Sequence, residues 1–141
     1  MFSVAESYPG TNKSTLLKAF NTHFFDFLDD ILRILPENAE IRIARNSFDT
    51  IRKANPTAIV KAWFKFVHTP YGEIIAGGDI SFFIDKDYAS DLHKLHNQNR
   101  VLEMIDKIRG PVKSIGVENL KHSTKYIQNL GKLSAAYSEI L

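Results

Sequence analysis

The sequence predicts an all-α fold, a single-domain antiparallel bundle of about five helices with an apolar connector loop between the third and fourth. Apolar residues recur every three or four positions through most of the chain, which is the spacing of one helix face. Prolines and glycines interrupt this pattern at short junctions, as expected where helices fold back on one another. The 141 residues are 44% hydrophobic and 24% charged, which is enough to bury one core. We therefore expect one domain, residues 1–141.

The first predicted helix follows a leader segment, residues 1–11. Asn12 or Ser14 can cap it, because their side-chain oxygens accept hydrogen bonds from free backbone N–H groups. Pro36 is expected to end this helix and start the second, since proline lacks a backbone donor and suits a first turn. The predicted buried face has spacings that alternate between three and four: Leu17, Phe20, Phe24, Phe27, Ile31 and Ile34, widened by Leu28 and Leu35.

The second and third predicted helices are joined by the sequence RKANP. Asn55 is expected to cap the third helix, with Pro56 at its first position. Pro70 and Gly72 are expected to end it. The apolar face of the second helix consists of Ile41, Ala44, Phe48 and Ile51, and that of the third of Ile59, Trp63, Phe66 and Val67.

The connector loop, residues 77–90, contains the sequence GGDISFFIDKDY. Its two glycines free the backbone, and Asp79 can anchor the turn. It lacks the spacing of a calcium loop, because position 5 counted from Asp85 is Ala89 and position 12 is His96. Its apolar residues are expected partly to cover the end of the bundle and partly to meet a partner. The candidate partner contacts are Phe82, Phe83, Ile84 and Tyr88.

Two further helices are predicted after the connector. The fourth carries Leu92, Leu95, Val101, Ile105 and Ile108 at helical spacing. The sequence RGP, residues 109–111, is expected to end it, since glycine permits a left-handed closing residue and proline opens the next helix. The last helix is expected to run from about Val112 to Ser138.

Charge is distributed unevenly. Residues 26–40 carry a net charge of −4 and residues 107–141 a net charge of +4, although the whole chain is only +2. Opposite charges of this kind favour docking between surfaces. On the last helix Lys121, Lys125 and Lys132 are spaced by four and seven, so they share a face that phosphates could reach. These three lysines are the candidate nucleic-acid contacts.

The sequence lacks the residues or motifs that several kinds of chemical site require. The chain has no cysteine, which excludes disulfides, zinc–thiolate sites and cysteine nucleophiles. GTNKST lacks the second glycine of a phosphate loop, and the pair His93 and His96 has no accompanying metal motif. The most apolar stretch, FFDFLDDILRIL, contains four charged residues and cannot span a bilayer. We predict no catalytic, cofactor-binding or metal-binding residue, and no enzymatic activity.

Four sequence motifs, taken together and in this order, are the basis of a resemblance to a known protein family: FLDDILRILP, RKANP, GDISFFIDKDY and KYIQNLGKLS. From about Thr15 to Tyr137 the chain resembles a family of small, functionally uncharacterised helical proteins of large nucleocytoplasmic DNA viruses of algae and protists. The resemblance implies a viral origin, location in the virion, and presence in the host cytoplasm during assembly. It implies no site residues.

The predicted function is that of a non-enzymatic structural or interaction protein, a viral minor capsid or other virion-associated component. Its expected partners are other virion or capsid proteins, or further copies of itself, and no cofactor is expected. The alternative is a nucleic-acid-binding accessory protein that uses the basic last helix. Two observations separate these predictions. A virion-associated protein would be found in purified particles. A nucleic-acid-binding protein would have an affinity for DNA or RNA that falls steeply with rising salt.

Overall fold

The structure is a computed structural model that describes residues 12–80, 107–108 and 110–140. Throughout these residues the chain is helical with short turns, and no strand occurs among them, which confirms the all-α prediction. Residues 110–113 are also helical. The main elements are α1 (Lys13–Ile34), α2 (Ala39–Ala54), α3 (Ala58–Trp63), a π-helical turn (Phe64–His68), α4 (Thr69–Ala76) and α5 (Val117–Glu139).

Helix α1 begins where the sequence predicts. Of the two predicted caps, Asn12 is the one used, because its Oδ1 accepts a hydrogen bond of 2.8 Å from the backbone N–H of Thr15. The predicted apolar face is buried, although Leu17, Ile34 and Leu35 at its edges are only partly so. The buried side chains of α1 are Leu16, Phe20, Asn21, Phe24, Phe25, Phe27, Leu28 and Ile31.

The start of α2 differs from the prediction. Pro36 ends α1 but lies in a turn, and α2 begins three residues later, at Ala39. The cap is Asn38, whose Oδ1 accepts a hydrogen bond of 3.0 Å from the backbone N–H of Ile41. An asparagine side chain satisfies a free helix donor, which proline cannot do. The prediction that Pro36 starts the second helix is therefore wrong.

Helix α3 begins at Ala58 after a turn at Pro56 and Thr57, so the prediction that Pro56 is its first residue after an Asn55 cap is wrong. The helix that starts at α3 does not end at Pro70 and Gly72, so that prediction is also wrong. It passes through the π-helical turn into α4 and continues to Ala76. In the turn the backbone N–H of Thr69 bonds to the carbonyl of Phe64, five residues back. The Thr69 hydroxyl donates to the same oxygen over 2.8 Å. This wider turn accommodates the proline ring, which would clash in a regular α-helix.

The last helix is shorter than predicted. Residues 110–113 are helical, so the prediction that Gly110 is a left-handed closing residue is wrong. The chain turns at residues 114–116 before α5 begins at Val117. Gly116 has φ of +90°, a left-handed conformation that glycine adopts without steric cost. The expectation of one helix from Val112 to Ser138 is therefore wrong at its start.

Side-chain contacts show the relative direction of three pairs of helices. The Lys13 ammonium lies 4.6 Å from the Tyr137 ring centroid, and the rings of His23 and Tyr126 lie 4.7 Å apart. The start of α1 thus meets the end of α5, and the two helices are antiparallel. In the same way Phe24 meets Phe48, whereas Asp29 further along α1 meets Arg45 earlier in α2. Helix α4 is also antiparallel to α5, as the contacts of Gln128 and Gly131 given below show.

The core lies between α1, α2, α3 and α5 and is rich in aromatic rings. Phe24 is at its centre, with the Phe48 ring 4.7 Å away and the Trp63 ring 6.0 Å away, both edge-on. Edge-to-face pairs at these distances stabilise a core beyond the area they bury. Helix α5 closes the other side with Ile127 and Leu130, both fully buried.

Candidate functional site

The predicted partner contacts Phe82, Phe83, Ile84 and Tyr88 lie outside the described residues. The start of the connector is described. Gly78 has φ of +94°, and its N–H and that of Asp79 bond to carbonyls at the end of α4. Ile80 follows with its side chain buried in the core. This agrees with the expectation that some apolar residues of the connector cover the bundle.

The predicted lysines Lys121, Lys125 and Lys132 are exposed on one face of α5, which we call the α5 lysine face. Acidic residues lie beside it. The Lys121 ammonium is 3.5 Å from Glu118, and Lys125 borders a hollow that also contains Asp26 of α1. These carboxylates reduce the positive potential that a phosphate backbone would meet.

A second surface lies on α2 and was not singled out in the sequence. Ile43 is 55% exposed, the largest exposure among the big apolar side chains that the structure describes. It borders a shallow hollow, the α2 hollow, in which no lining residue is charged. On the other side of the helix Asp49 pairs with Arg52 and Lys53. The α2 hollow is lined by Ile43, Asn46, Ser47, Thr50 and Ile51.

The third feature is the environment of His68, the last residue of the π-helical turn. Its imidazole stacks on the Phe64 ring, with centroids 5.7 Å apart and planes inclined by 25°. Two glycines leave room for it. A Cβ added at Gly72 would lie 3.0 Å from His68 Nδ1, and one at Gly131 would lie 3.1 Å from the same atom. The imidazole thus lies close to both glycines, and a side chain at either position would require it to shift by a few tenths of an ångström.

Beside this imidazole is a small cavity between α3, α4 and α5, the His68 cavity, of about 120 Å³. Trp63, Val67, Ile75 and Ile127 supply buried apolar walls. The Gln128 amide nitrogen donates to the carbonyls of Ile75 and Ala76 over 2.9 and 3.3 Å, which holds α5 against the end of α4. The remaining lining residues are His68, Gly72, Ala76, Gln128, Gly131 and Lys132.

Burial changes the protonation of two histidines. It lowers the pKa of His68 below its ordinary value. Burial also lowers the pKa of His23, against the opposing effect of nearby Asp26 and of a backbone hydrogen bond at Tyr126. In both cases removal from water disfavours the charged imidazolium. Near neutral pH, His68 therefore offers one nitrogen donor and one nitrogen acceptor.

The lowered pKa values predict a dependence of stability on pH. The unfolded chain binds more protons than the folded chain once the pH falls below about 6.5, the pKa of free histidine. The free energy of unfolding should therefore be constant just above neutrality and decrease as the pH falls from 6.5 towards the folded pKa values. Urea unfolding at about pH 7.5, 6.5 and 5.5 measures this change in the free energy of unfolding.

The variant His68→Gln is expected to flatten that pH dependence, since one of the two shifted groups is removed. His122→Gln is the control, because His122 is exposed on α5. The slope of stability against pH is the readout, so a general loss of stability in the variant does not affect the conclusion. An unchanged slope in His68→Gln would contradict the assignment.

Two further features are absent from the described part of the chain. No group of three or more histidine, aspartate or glutamate side chains there could hold a metal ion. No helix among residues 12–80 and 110–140 is long and apolar enough to cross a membrane. The pair His93 and His96 lies outside the described residues.

Comparison of the chain with protein-family models, with curated proteins and with solved structures found no match. The resemblance to viral proteins, and the location that it implies, therefore stay predictions. The features of the described chain that bear on function are the α2 hollow, the α5 lysine face and the His68 cavity.

Sequence reasoning predicted the α5 lysine face but missed the other two features. Ile43 does not belong to the predicted apolar face of α2. An isoleucine on the polar side of a helix is a sign in the sequence of an exposed apolar residue. No comparable signal marks His68. Gly72 and Gly131 lie on different helices, and only the packing of α4 on α5 brings both to the imidazole.

Proposed function

We propose that the protein is a non-enzymatic interaction protein, a minor capsid or other virion-associated component, that binds another protein of the particle through the α2 hollow. The observation that carries the proposal is the exposure of Ile43 beside this uncharged hollow. The viral setting is supported by the sequence resemblance alone.

The α2 hollow has the properties of a protein contact. Helix α2 already buries Ile41, Ala44 and Phe48 in the core, so its outer side is held in place. Ile43 is on that outer side with hydroxyl and amide groups around it. An apolar centre with a polar, uncharged surround is typical of the middle of an interface, where charged residues are depleted. A neutral, apolar surface on the partner fits this hollow best.

The substitution Ile43→Lys tests this contact, because it places a charge where the partner is expected to exclude water. We expect incorporation into purified particles to fall at least about tenfold, the effect of losing one central apolar contact. The matched control is Ile74→Lys on α4, where the original side chain is 37% exposed. Quantitative mass spectrometry of particles carrying each variant gives the measurement.

Three outcomes would contradict the proposal. Absence of the unmodified protein from purified particles would rule out the virion role. Equal incorporation of Ile43→Lys and the unmodified protein would rule out the α2 hollow as the contact. Equal losses for Ile43→Lys and Ile74→Lys would show a general effect of added charge. Circular dichroism of both variants establishes that they are folded.

Nucleic-acid binding through the α5 lysine face is the second candidate function. The exposure of Lys121, Lys125 and Lys132 on one face favours it. The neighbouring carboxylates of Glu118 and Asp26 weigh against it. If it is correct, affinity for DNA or RNA falls steeply with salt, and replacing all three lysines by glutamine reduces the salt dependence.

A further inference from the structure

We infer that the His68 cavity is a binding site for a small monocarboxylate with a short apolar tail. The tail would contact Ile75 and Ala76, and the carboxylate would face Lys132 at the opening. This site is separate from the α2 hollow, so the inference does not depend on the proposed function.

The size of the cavity sets the size of the ligand. Its volume is about 120 Å³, and a cavity of about 150 Å³ in another protein is known to hold benzene. A molecule of about six non-hydrogen atoms is therefore the upper limit. Longer acyl chains and nucleotides are too large. A four-carbon carboxylate such as butyrate is of suitable size.

The walls are apolar where the tail would lie. Ile75 is 4% exposed and Ala76 is exposed, so both present apolar surface to the cavity. Trp63, Val67 and Ile127 are fully buried and form the packed layer next to it. Ligand sites are commonly apolar pockets with a few polar groups that orient the ligand. The cavity matches that description, because its polar side chains belong to His68, Gln128 and Lys132.

The polar groups favour an anion. Lys132 is exposed at the opening, and no ion pair joins it to a residue of the described part of the chain. None of the lining residues is acidic. The neutral imidazole of His68 supplies one further donor, whereas the Gln128 amide nitrogen is already used on the carbonyls of Ile75 and Ala76. A carboxylate can accept hydrogen bonds from both Lys132 and His68.

The two glycines contribute to the same site. A side chain at Gly72 or Gly131 would come within about 3 Å of His68 Nδ1, so the imidazole would have to shift by a few tenths of an ångström. Gly131 also lines the cavity next to Lys132. Because these glycines have no side chains, the imidazole keeps its position and the space beside it stays open.

Titration of the full-length protein with sodium butyrate, followed by two-dimensional ¹H–¹⁵N NMR, tests the inference. We expect saturable shifts of the Trp63 indole N–H, the Gln128 side-chain amide and the Gly131 backbone amide. Butyramide, which has the same shape without the charge, should bind about tenfold more weakly, since hydrogen bonds to a charged group are worth about that factor. Equal binding of butyrate and butyramide would overturn the assignment of a carboxylate.

Two variants with matched controls locate the site. Lys132→Gln should weaken butyrate binding about tenfold, whereas Lys125→Gln on the same helix should not change it. Ala76→Leu should abolish binding, because Ala76 lines the cavity at an exposed position where a larger side chain can reach in without disturbing the core. Ala54→Leu, at an exposed position of α2, is its control.

Two further results would count against the site. Shifts that do not saturate, or shifts spread over all exposed lysines, would show nonspecific attraction of an anion. Unchanged binding in Ala76→Leu would place the ligand elsewhere. The two proposals are tested independently. Normal incorporation of Ile43→Lys into particles would contradict only the proposed function, and failure of the protein to bind butyrate would contradict only this inference.

Discussion

Replacing Phe24 by alanine is expected to lower the free energy of unfolding by about 3–5 kcal/mol, the usual effect of removing a buried phenylalanine ring. Phe24 has no exposed surface. Its ring meets Phe20 in the same helix, Phe48 in α2 and Trp63 in α3. The alanine variant leaves a cavity where these elements join, and the surrounding rings can fill it only in part.

Urea unfolding monitored by circular dichroism measures this loss. Ile43→Ala is the control, because its exposed side chain should change the free energy of unfolding by less than about 0.5 kcal/mol. The dependence on urea concentration should be the same in both variants if only stability changes. A loss below about 1 kcal/mol for Phe24→Ala would contradict the position assigned to this ring.

Replacing Gly131 by leucine is expected to lower the free energy of unfolding by about 1–3 kcal/mol, the usual effect of overpacking. The reason is the His68 imidazole, since a Cβ at this position already comes within 3.1 Å of Nδ1. Helix propensity acts in the opposite direction, because leucine favours a helix over glycine by nearly 1 kcal/mol. A net loss would therefore show that the contact with His68 dominates.

A double-mutant cycle identifies the cause. Adding His68→Ala to Gly131→Leu removes the opposing ring, so the double variant should be more stable than the sum of the single effects predicts. Lys132→Leu is the control, because it introduces the same side chain at the next, exposed position. Strictly additive effects would mean that leucine is not in conflict with the imidazole.

The junctions show where local sequence is a reliable guide and where it is not. Asn12 is one of the two predicted caps of α1 and forms the expected hydrogen bond. At the next junction Pro36 is predicted to start the second helix, but α2 begins after the Asn38 cap, because both residue types occur at helix starts and only the folded turn selects one. Pro70 was expected to end a helix, yet the π-helical turn before it permits the helix to continue.

The candidate sites divide in the same way. The shared face of Lys121, Lys125 and Lys132 could be predicted, since residues four and seven apart lie on one side of any helix. The carboxylate of Asp26 beside Lys125 could not, because it belongs to another helix. Of the predicted partner contacts, Phe82, Phe83, Ile84 and Tyr88, the structure describes none, and they stay predictions.

The amino-acid sequence by itself determined that the described chain is helical, which faces of its helices are buried and which lysines share a surface. These properties follow from spacing along the chain and need no knowledge of how helices meet. The tertiary structure alone decided that His68 lies between Gly72 and Gly131, that a cavity remains beside it and that Ile43 stays exposed. Each of these depends on the packing of one helix against another, because helices distant in the chain supply the neighbouring surfaces.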